Sequence, residues 1–196
     1  MKYSANITAG ALKVAESRLI ADLLLHQLDP NVLRKVLVET NVLQASAPLT
    51  AIRIGGLIHA RLTLMGPGLW RMVRDGTTTI STQACLAAAI KHSALLGDFM
   101  DLVLRQFYRH HIDALPTSAW EDYLIDCRAR EPEMPNWQES TQQRLRSTVY
   151  QTLAQSGYIE STRTRRLQAV HIARPLLEYL RNNEEHYVLR CIEVSP

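Results

Sequence analysis

The sequence predicts a mainly α-helical protein: a helical core with two helix-turn-helix-like units, the C-terminal one a winged helix with a small β-hairpin. Apolar residues recur at helical spacing through most of the first 115 residues. Two helices around a short break outline the first unit, at about residues 31–65. A long helix followed by an arginine-rich polar segment, within residues 137–172, outlines the second.

Length and composition limit the class of protein. The chain has 196 residues, of which 46% are hydrophobic and 21% charged, which suits one domain or two small ones and excludes wholesale disorder. We divide the chain into a helical N-terminal region, 1–115, and a C-terminal winged-helix-like region, 116–196. No apolar run is long enough to span a membrane, and no secretory signal is expected.

The first helix-turn-helix-like unit begins at Asp29-Pro30, where a capping side chain precedes a proline at the first helical position. Its first helix runs to about Val42, a break covers residues 44–48, and a second helix starts at about Leu49. One face of the second helix is apolar. Arg53 lies on the opposite face, which is left for solvent or a ligand.

The middle of the chain predicts three further helices, over residues 82–92, 95–111 and 117–130. Residues 81–136 carry eight acidic side chains against five basic ones. This acidic balance favours a position facing away from any polyanion. We find no ligand-binding pattern in this stretch.

The most informative helix is expected from Ser140 to about Gln155. Leu145, Val149 and Leu153 recur every four residues and predict its buried face. The opposite face carries hydrogen-bonding side chains and no carboxylate, with Arg146 on the flank. These exposed residues are Ser140, Gln143, Arg144, Ser147 and Gln151.

Gly157 is expected to end this helix, and Tyr158-Ile159 to begin an extended run. The polar segment 161–166 contains Arg163, Arg165 and Arg166 and is expected to form the tip of a hairpin closed by residues 167–172. Because this hairpin follows the helix at once, the layout is typical of a winged helix. A short helix from Pro175 to Leu180 and a closing strand from Tyr187 to Val194 complete the predicted elements.

The charge distribution favours double-stranded DNA as the partner. Residues 137–175 hold six arginines against two glutamates, and residues 31–80 hold six basic residues against two acidic ones. Arginine side chains pair with phosphates and can also contact guanine edges. The candidate DNA-binding residues are Arg53, Gln143, Arg144, Arg146, Ser147, Arg163, Arg165 and Arg166.

Two other classes remain open from the residues alone: a protein-interaction module and an enzyme. Enzyme motifs are missing, since the chain has no glycine-rich phosphate loop, G-x-S-x-G, H-E-x-x-H or C-x-x-C pattern. We therefore expect no catalytic residue, no cofactor, no metal site and no small-molecule substrate. Cys85, Cys127 and Cys191 fit neither a disulfide framework nor a metal site, which favours a reduced, cytoplasmic protein.

The sequence resembles the BrxA family of bacteriophage-exclusion (BREX) defence systems. The resemblance runs over nearly the whole chain, through the order and spacing of Tyr3-Ser4-Ala5, Thr8-Ala9-Gly10, Leu12, Glu16-Ser17, Leu96-Gly97-Asp98-Phe99-Met100, Trp120, Tyr123-Leu124, Arg128-Ala129, Trp137, Thr141, Leu145-Arg146, Tyr150, Leu153 and Gly157-Tyr158. It implies a mainly helical, non-catalytic DNA-binding protein that works beside other BREX components. A scaffold that docks other BREX subunits, or an RNA-binding helical module, is the alternative.

Overall fold

The computed structural model describes residues 2–26, 30–39 and 41–195, and it is mainly helical, as the sequence predicts. The helices are α1 Val14–Leu25, α2 Pro30–Glu39, α3 Pro48–Leu62, α4 Pro67–Asp75, α5 Thr78–His92, α6 Ala94–Asp98, α7 Arg105–Arg109, α8 Ala119–Arg130, α9 Glu139–Gln155, α10 Arg174–Asn182 and α11 His186–Ile192. A π-helical turn, Phe99–Leu104, joins α6 to α7. No helix in these ranges combines the length and apolar character needed to cross a membrane.

Helix α5 is the central element of the N-terminal part. From Gln83 to Ile90 every side chain is buried, because α1, α3, α4, α6, α10 and α11 all pack around this helix. Its run of alanines suits such a position, since small side chains let neighbouring helices approach closely. The C-terminal helices α10 and α11 therefore pack against the same core as the N-terminal ones. The boundary expected near residue 115 stays a prediction.

The helix pair expected near residues 31–65 is present as α2 and α3. The two helices touch closely: a Cβ added at Gly55 would lie 2.5 Å from Leu37 Cδ1. The predicted apolar face of α3 is buried at Ala51, Ile58 and Leu62. The expected capping residue, Asp29, lies outside the described residues.

Asp98 and Phe99 join distant parts of the chain. The buried Asp98 carboxylate accepts hydrogen bonds from the Tyr3 hydroxyl at 2.7 Å and the Tyr187 hydroxyl at 2.8 Å, and it pairs with Lys2 Nζ at 2.6 Å. Burial alone would raise the pKa of Asp98. The hydrogen bonds from Lys2, Tyr3 and Tyr187 outweigh that effect and hold the pKa below its ordinary value.

Phe99 packs against aromatic rings from α8 and α9. Its ring centroid lies 5.6 Å from that of Trp120, 5.2 Å from that of Tyr123 and 6.1 Å from that of Tyr150. These tilted and edge-on contacts are the arrangements that aromatic rings prefer. Two neighbouring residues thus hold the C-terminal half in place: Asp98 through its hydrogen bond from Tyr187, and Phe99 through its contacts with the rings of α8 and α9.

The predicted hairpin of two strands is wrong, because the described residues contain no strand. Two isolated antiparallel bridges, Ile159 with Leu167 and Ala114 with Arg166, are all the pairing that this region makes. After Gln168 the backbone forms hydrogen bonds with side chains from other parts of the chain, not with a neighbouring strand. Val170 N donates to Ser195 Oγ at 2.8 Å, and Gln83 accepts from Ala173 N at 2.8 Å and donates to the His171 carbonyl at 2.9 Å. These side chains take the place of a partner strand.

The closing strand expected at Tyr187–Val194 is also wrong, since His186–Ile192 forms α11. Val188, Cys191 and Ile192 are its buried residues, at helical spacing. In so short a run, apolar residues satisfy both the helical and the alternating pattern. The predicted helix at Pro175–Leu180 is confirmed within α10.

We expect Asp98→Ala to lower the free energy of unfolding by about 2–4 kcal/mol, because it leaves the buried Tyr3 hydroxyl and the partly buried Tyr187 hydroxyl without an acceptor. Urea unfolding followed by circular dichroism measures this. Asp126→Ala, on the exposed side of α8, is the matched control and should change stability by less than about 0.5 kcal/mol. Equal effects of the two variants would contradict the role given to Asp98.

Asp98 also predicts a dependence of stability on acid. Because its pKa is lower in the folded than in the unfolded chain, its contribution is complete above the ordinary value of 3.8 and is lost as pH falls through the folded value. Urea unfolding of the parent chain between pH 6 and 3 should show a steeper loss of stability than the same series on Asp98→Ala. Parallel curves for the two proteins would refute this assignment.

Candidate nucleic-acid interface

Helix α9 has the two faces that the sequence predicts. Leu145, Val149 and Leu153 are fully buried. Gln143, Arg144, Ser147 and Gln151 are exposed, as is Ser140 in the first turn. The polar face of α9 is therefore open to a ligand, although in its first turn Gln143 Nε2 donates to Glu139 Oε1 at 3.0 Å. After Glu139 the chain contains no Asp or Glu up to Ile159.

Arg146 lies at the edge of this face and already has a partner. Its Nη1 lies 2.6 Å from Glu121 Oε1 of α8, and both side chains are close to half exposed. A guanidinium has five N–H donors, so one contact leaves most of them available. Arg146 can therefore hold Glu121 and contact a second group.

A glycine sets the exit from α9. Gly157 has φ +83°, in the left-handed region that favours glycine, and its N–H donates to the Ala154 carbonyl at 3.2 Å. Tyr158 N donates to the Leu153 carbonyl at 2.9 Å. This pair of bonds is a Schellman motif, which ends a helix and reverses the chain. It brings the following segment back beside α9.

The segment 161–166, which we call the arginine loop, is a tight turn held by its own hydroxyls. Ser161 Oγ accepts from Thr164 N at 3.0 Å, and Thr164 Oγ1 donates to Glu160 Oε2 at 2.9 Å. Arg163 and Arg166 are exposed, whereas Arg165, with φ +52°, turns partly inward. The turn therefore presents two arginines outward and one toward α9.

Helix α9, the arginine loop and the segment just before α8 line a cleft of about 580 Å³, which we call the α9–loop cleft. Every residue that lines the cleft has a hydroxyl, an amide or a guanidinium group, and none has a carboxylate. These residues are Thr117, Arg146, Ser147, Tyr150, Gln151, Thr162 and Arg165. Burial raises the pKa of Tyr150, while the charge of Arg165 acts in the opposite direction. The Tyr150 hydroxyl therefore stays protonated at neutral pH and can donate a hydrogen bond.

The electrostatic character of this surface is cationic. None of the ion pairs among the described residues includes Arg144, Arg163, Arg165 or Arg166. From residue 161 to residue 177 there is no acidic side chain, and Glu160 is the only one between Ser140 and Leu177. These guanidinium groups therefore keep their charge free for an anionic partner.

The first basic segment is used differently. Arg61 is 4% exposed and donates to the carbonyls of Ala11 at 2.6 Å and Gly10 at 3.1 Å, and burial lowers its pKa to about 10. Arg74 contacts Asp22 and Asp75. Arg53 is exposed on α3, but it does not line the α9–loop cleft. The structure brings three of the predicted residues together in this cleft, Arg146, Ser147 and Arg165, whereas Arg53, Gln143, Arg144, Arg163 and Arg166 do not line it.

Sequence reasoning missed Tyr150 as a lining residue, together with Thr117 and Thr162. A usable signal was present for Tyr150, which follows Arg146 by four residues and Ser147 by three and so lies on their side of the helix. Thr117 and Thr162 come from other parts of the chain, and no local pattern connects them with α9. No group of three or more His, Cys, Asp or Glu side chains in the described ranges is placed to hold a metal ion.

Fold and surface together define a mainly helical protein with a carboxylate-poor cationic surface around one helix and a following loop. The chain matches the BrxA family model over residues 1–184, and it belongs to the BrxA family. The resemblance noted from the sequence is thus confirmed.

Two relatives and one crystal structure support this membership. A BREX protein BrxA from Paramagnetospirillum magneticum is 49% identical over 194 residues, which cover 99% of this chain and 98% of that protein. A BREX protein BrxA from Escherichia coli O9:H4 is 29% identical over 167 residues, covering 85% and 78%. The crystal structure of a protein from Magnetospirillum magneticum matches all of both chains with a TM-score of 0.92 and 46% identity.

We expect Gly157→Ala to lower the free energy of unfolding by about 1–2 kcal/mol, because a side chain at positive φ is strained even though space is available. Gly56→Ala is the matched control. Gly56 is exposed inside α3 with no atom within 4 Å of an added Cβ, so alanine should stabilise the chain by up to about 1 kcal/mol. Chemical unfolding of both variants tests this, and a neutral Gly157→Ala would contradict the helix-end geometry.

Proposed function

We propose that this BrxA-family chain binds double-stranded DNA through α9 and the arginine loop, mainly by contacting the backbone and with weak sequence preference. The observation that carries the proposal is that Arg144, Arg163 and Arg166 are exposed and have no described ion-pair partner, in a stretch where Glu160 is the only acidic residue between Ser140 and Leu177. Phosphate contacts supply most of the affinity in non-specific duplex binding, so such a surface suffices.

Each part of the surface has a distinct role in this proposal. Arg163, Arg165 and Arg166 contact phosphates, because guanidinium groups pair with phosphate oxygens at two points. Gln143, Arg144, Arg146 and Ser147 belong to a helix that enters the major groove, where their side chains reach base edges or the adjacent backbone. Arg53 provides a separate backbone contact from the first helix pair.

The order of elements supports a winged-helix-like arrangement for the C-terminal part. The elements follow one another in the order of a winged helix: segment 113–115, then α8 and α9, then segments 158–160 and 165–168. Residues 165–168 lie between the other two segments: Leu115 N donates to the Arg165 carbonyl at 3.0 Å, and Glu160 N donates to the Arg166 carbonyl at 2.8 Å. In this arrangement the arginine loop acts as the wing.

Family membership supports the biological setting. The BREX proteins BrxA that the chain resembles are components of a phage-defence system, so other BREX components are its proposed protein partners. We propose an accessory, non-catalytic role without a cofactor, in the cytoplasm. The three cysteines are buried and unpaired, which supports a reducing compartment.

Two rival functions use the same surface. A scaffold would dock an acidic face of another BREX subunit on α9 and the arginine loop, and an RNA-binding module would hold structured RNA there. The DNA proposal accounts better for the mixture of amide, hydroxyl and guanidinium groups on the exposed face of α9, since these groups suit both phosphates and base edges.

Fluorescence anisotropy with a short labelled duplex, repeated across a salt series, tests the proposal. With about six phosphate contacts, the logarithm of the binding constant against the logarithm of salt concentration should have a slope near −5. Reversal of Arg163, Arg165 and Arg166 to Glu should abolish binding at moderate salt. Where residual binding is measurable at low salt, its slope should be shallower by about 3.

The matched control reverses three exposed basic residues elsewhere, Lys35, Arg71 and Arg181, to Glu. It changes net charge equally and should retain much of the affinity, because only the long-range attraction falls. If the loop variant keeps full affinity, the loop assignment is wrong. Competition with structured RNA distinguishes the RNA-binding function, and absence of duplex binding at low salt favours the scaffold.

A further inference from the structure

The Tyr150 hydroxyl is a buried donor without a partner. Tyr150 is 5% exposed, lines the α9–loop cleft, and its hydroxyl oxygen makes no hydrogen bond within the described structure. A buried hydroxyl without a partner destabilises a fold by the cost of removing it from water. Its ring is already accounted for by the contact with Phe99, so packing explains the ring but not the hydroxyl.

The other lining groups define what the hydroxyl would meet. Arg165 lines the same cleft, and its Nε is also buried and without a hydrogen-bond partner in the described structure. Arg146 brings a second guanidinium, with Nη1 on Glu121. The lining contains no carboxylate, and Glu121 is occupied by Arg146, so the cleft is built from donors that favour an anion.

The dimensions of the cleft also suit a small ligand. Thr117 lines the cleft two residues before α8 begins at Ala119, but the first turn of α8 carries Glu121 and Asp122, so this helix end adds no preference for an anion. The cleft volume of about 580 Å³ is also within the range of roughly 300–1,000 Å³ that small-ligand sites occupy.

We propose that the α9–loop cleft is a phosphoryl-binding site in which Arg146 and Arg165 contact a phosphate group and the Tyr150 hydroxyl donates a hydrogen bond to it. The phosphate comes either from the DNA backbone, in which case the inference rests on the proposed function, or from a free nucleotide. In both cases the chemistry is the same, and the experiment separates the two sources.

Tyr150→Phe is the sharpest variant, because it removes one oxygen and keeps the ring against Phe99. Isothermal titration calorimetry with inorganic phosphate, deoxyadenosine monophosphate and deoxyadenosine tests free ligands, and anisotropy tests a short duplex. Loss of one hydrogen bond to a charged group should weaken binding about tenfold. The thermal midpoint of Tyr150→Phe should be unchanged or higher, because no protein hydrogen bond is lost.

Tyr179→Phe is the matched control. The Tyr179 hydroxyl accepts from Gly66 N at 2.8 Å, away from the cleft, so this variant should lose some stability and no affinity. Arg165→Gln is a second test of the cleft and should also weaken binding. A lowered thermal midpoint in Tyr150→Phe would show that the hydroxyl has a structural role, and would overturn the inference.

The outcomes separate the two sources. A free-nucleotide site is identified by three results together. The chain binds the monophosphate but not the nucleoside, Tyr150→Phe weakens that binding, and the same variant leaves duplex affinity unchanged. Weakened duplex binding by the same variant identifies a backbone phosphate. If neither the phosphate-containing ligands nor the duplex respond to Tyr150→Phe and Arg165→Gln, the inference is wrong.

The failure of one proposal is distinguishable from that of the other. If the triple loop variant loses duplex binding while Tyr150→Phe and Arg165→Gln change no binding, the DNA-binding function stands and the cleft site is wrong. If the parent chain binds no duplex but takes up the monophosphate through Tyr150, the cleft site stands and the DNA-binding function is wrong.

Discussion

The Asp98 carboxylate joins two segments that both hold the end of α9. Tyr3 and Tyr187 donate to it, which fixes the N-terminal segment and α11 against the middle of the chain. From the N-terminal segment, Leu12 N donates to Gln155 Oε1 at 3.0 Å; from α11, the Ile192 carbonyl accepts from the Tyr158 hydroxyl. The contacts that orient α9 and begin the arginine loop therefore depend on one buried anion whose three donors outweigh its desolvation.

The parts of the fold that the sequence predicts are those with a local cause. The buried face of α9 repeats every four residues, and Gly157 ends the helix because a positive φ favours glycine. The hairpin and the closing strand were predicted wrongly for different reasons. Distant side chains, Gln83 and Ser195, bond the backbone of residues 170–173, and Tyr187–Val194 is too short for its pattern to distinguish helix from strand.

The same distinction applies to the candidate site. Exposed arginines on α9 and in the loop are readable from the sequence, because spacing and the shortage of acidic residues are local properties. Whether a basic residue is free is a tertiary property: Arg61 contributes to a basic segment by composition, yet two backbone carbonyls of the N-terminal segment hold it inside the core. A count of charges therefore overstates the first basic segment, and the surface around α9 carries more of the free charge.

The structure also relates stability to function in the α9–loop cleft. Phe99 packs on the Tyr150 ring from inside, so the ring is part of the core that Asp98 organises. Tyr150 also lines the cleft, and its hydroxyl is buried without a partner in the described structure. A core built only for stability would have phenylalanine at this position, since the hydroxyl costs desolvation and gains no bond. Such an unpaired group calls for an explanation, and a ligand that accepts its hydrogen bond would supply one. Tyr150, which connects the core to the cationic surface, thus carries a hydroxyl whose hydrogen bonding the described residues leave incomplete.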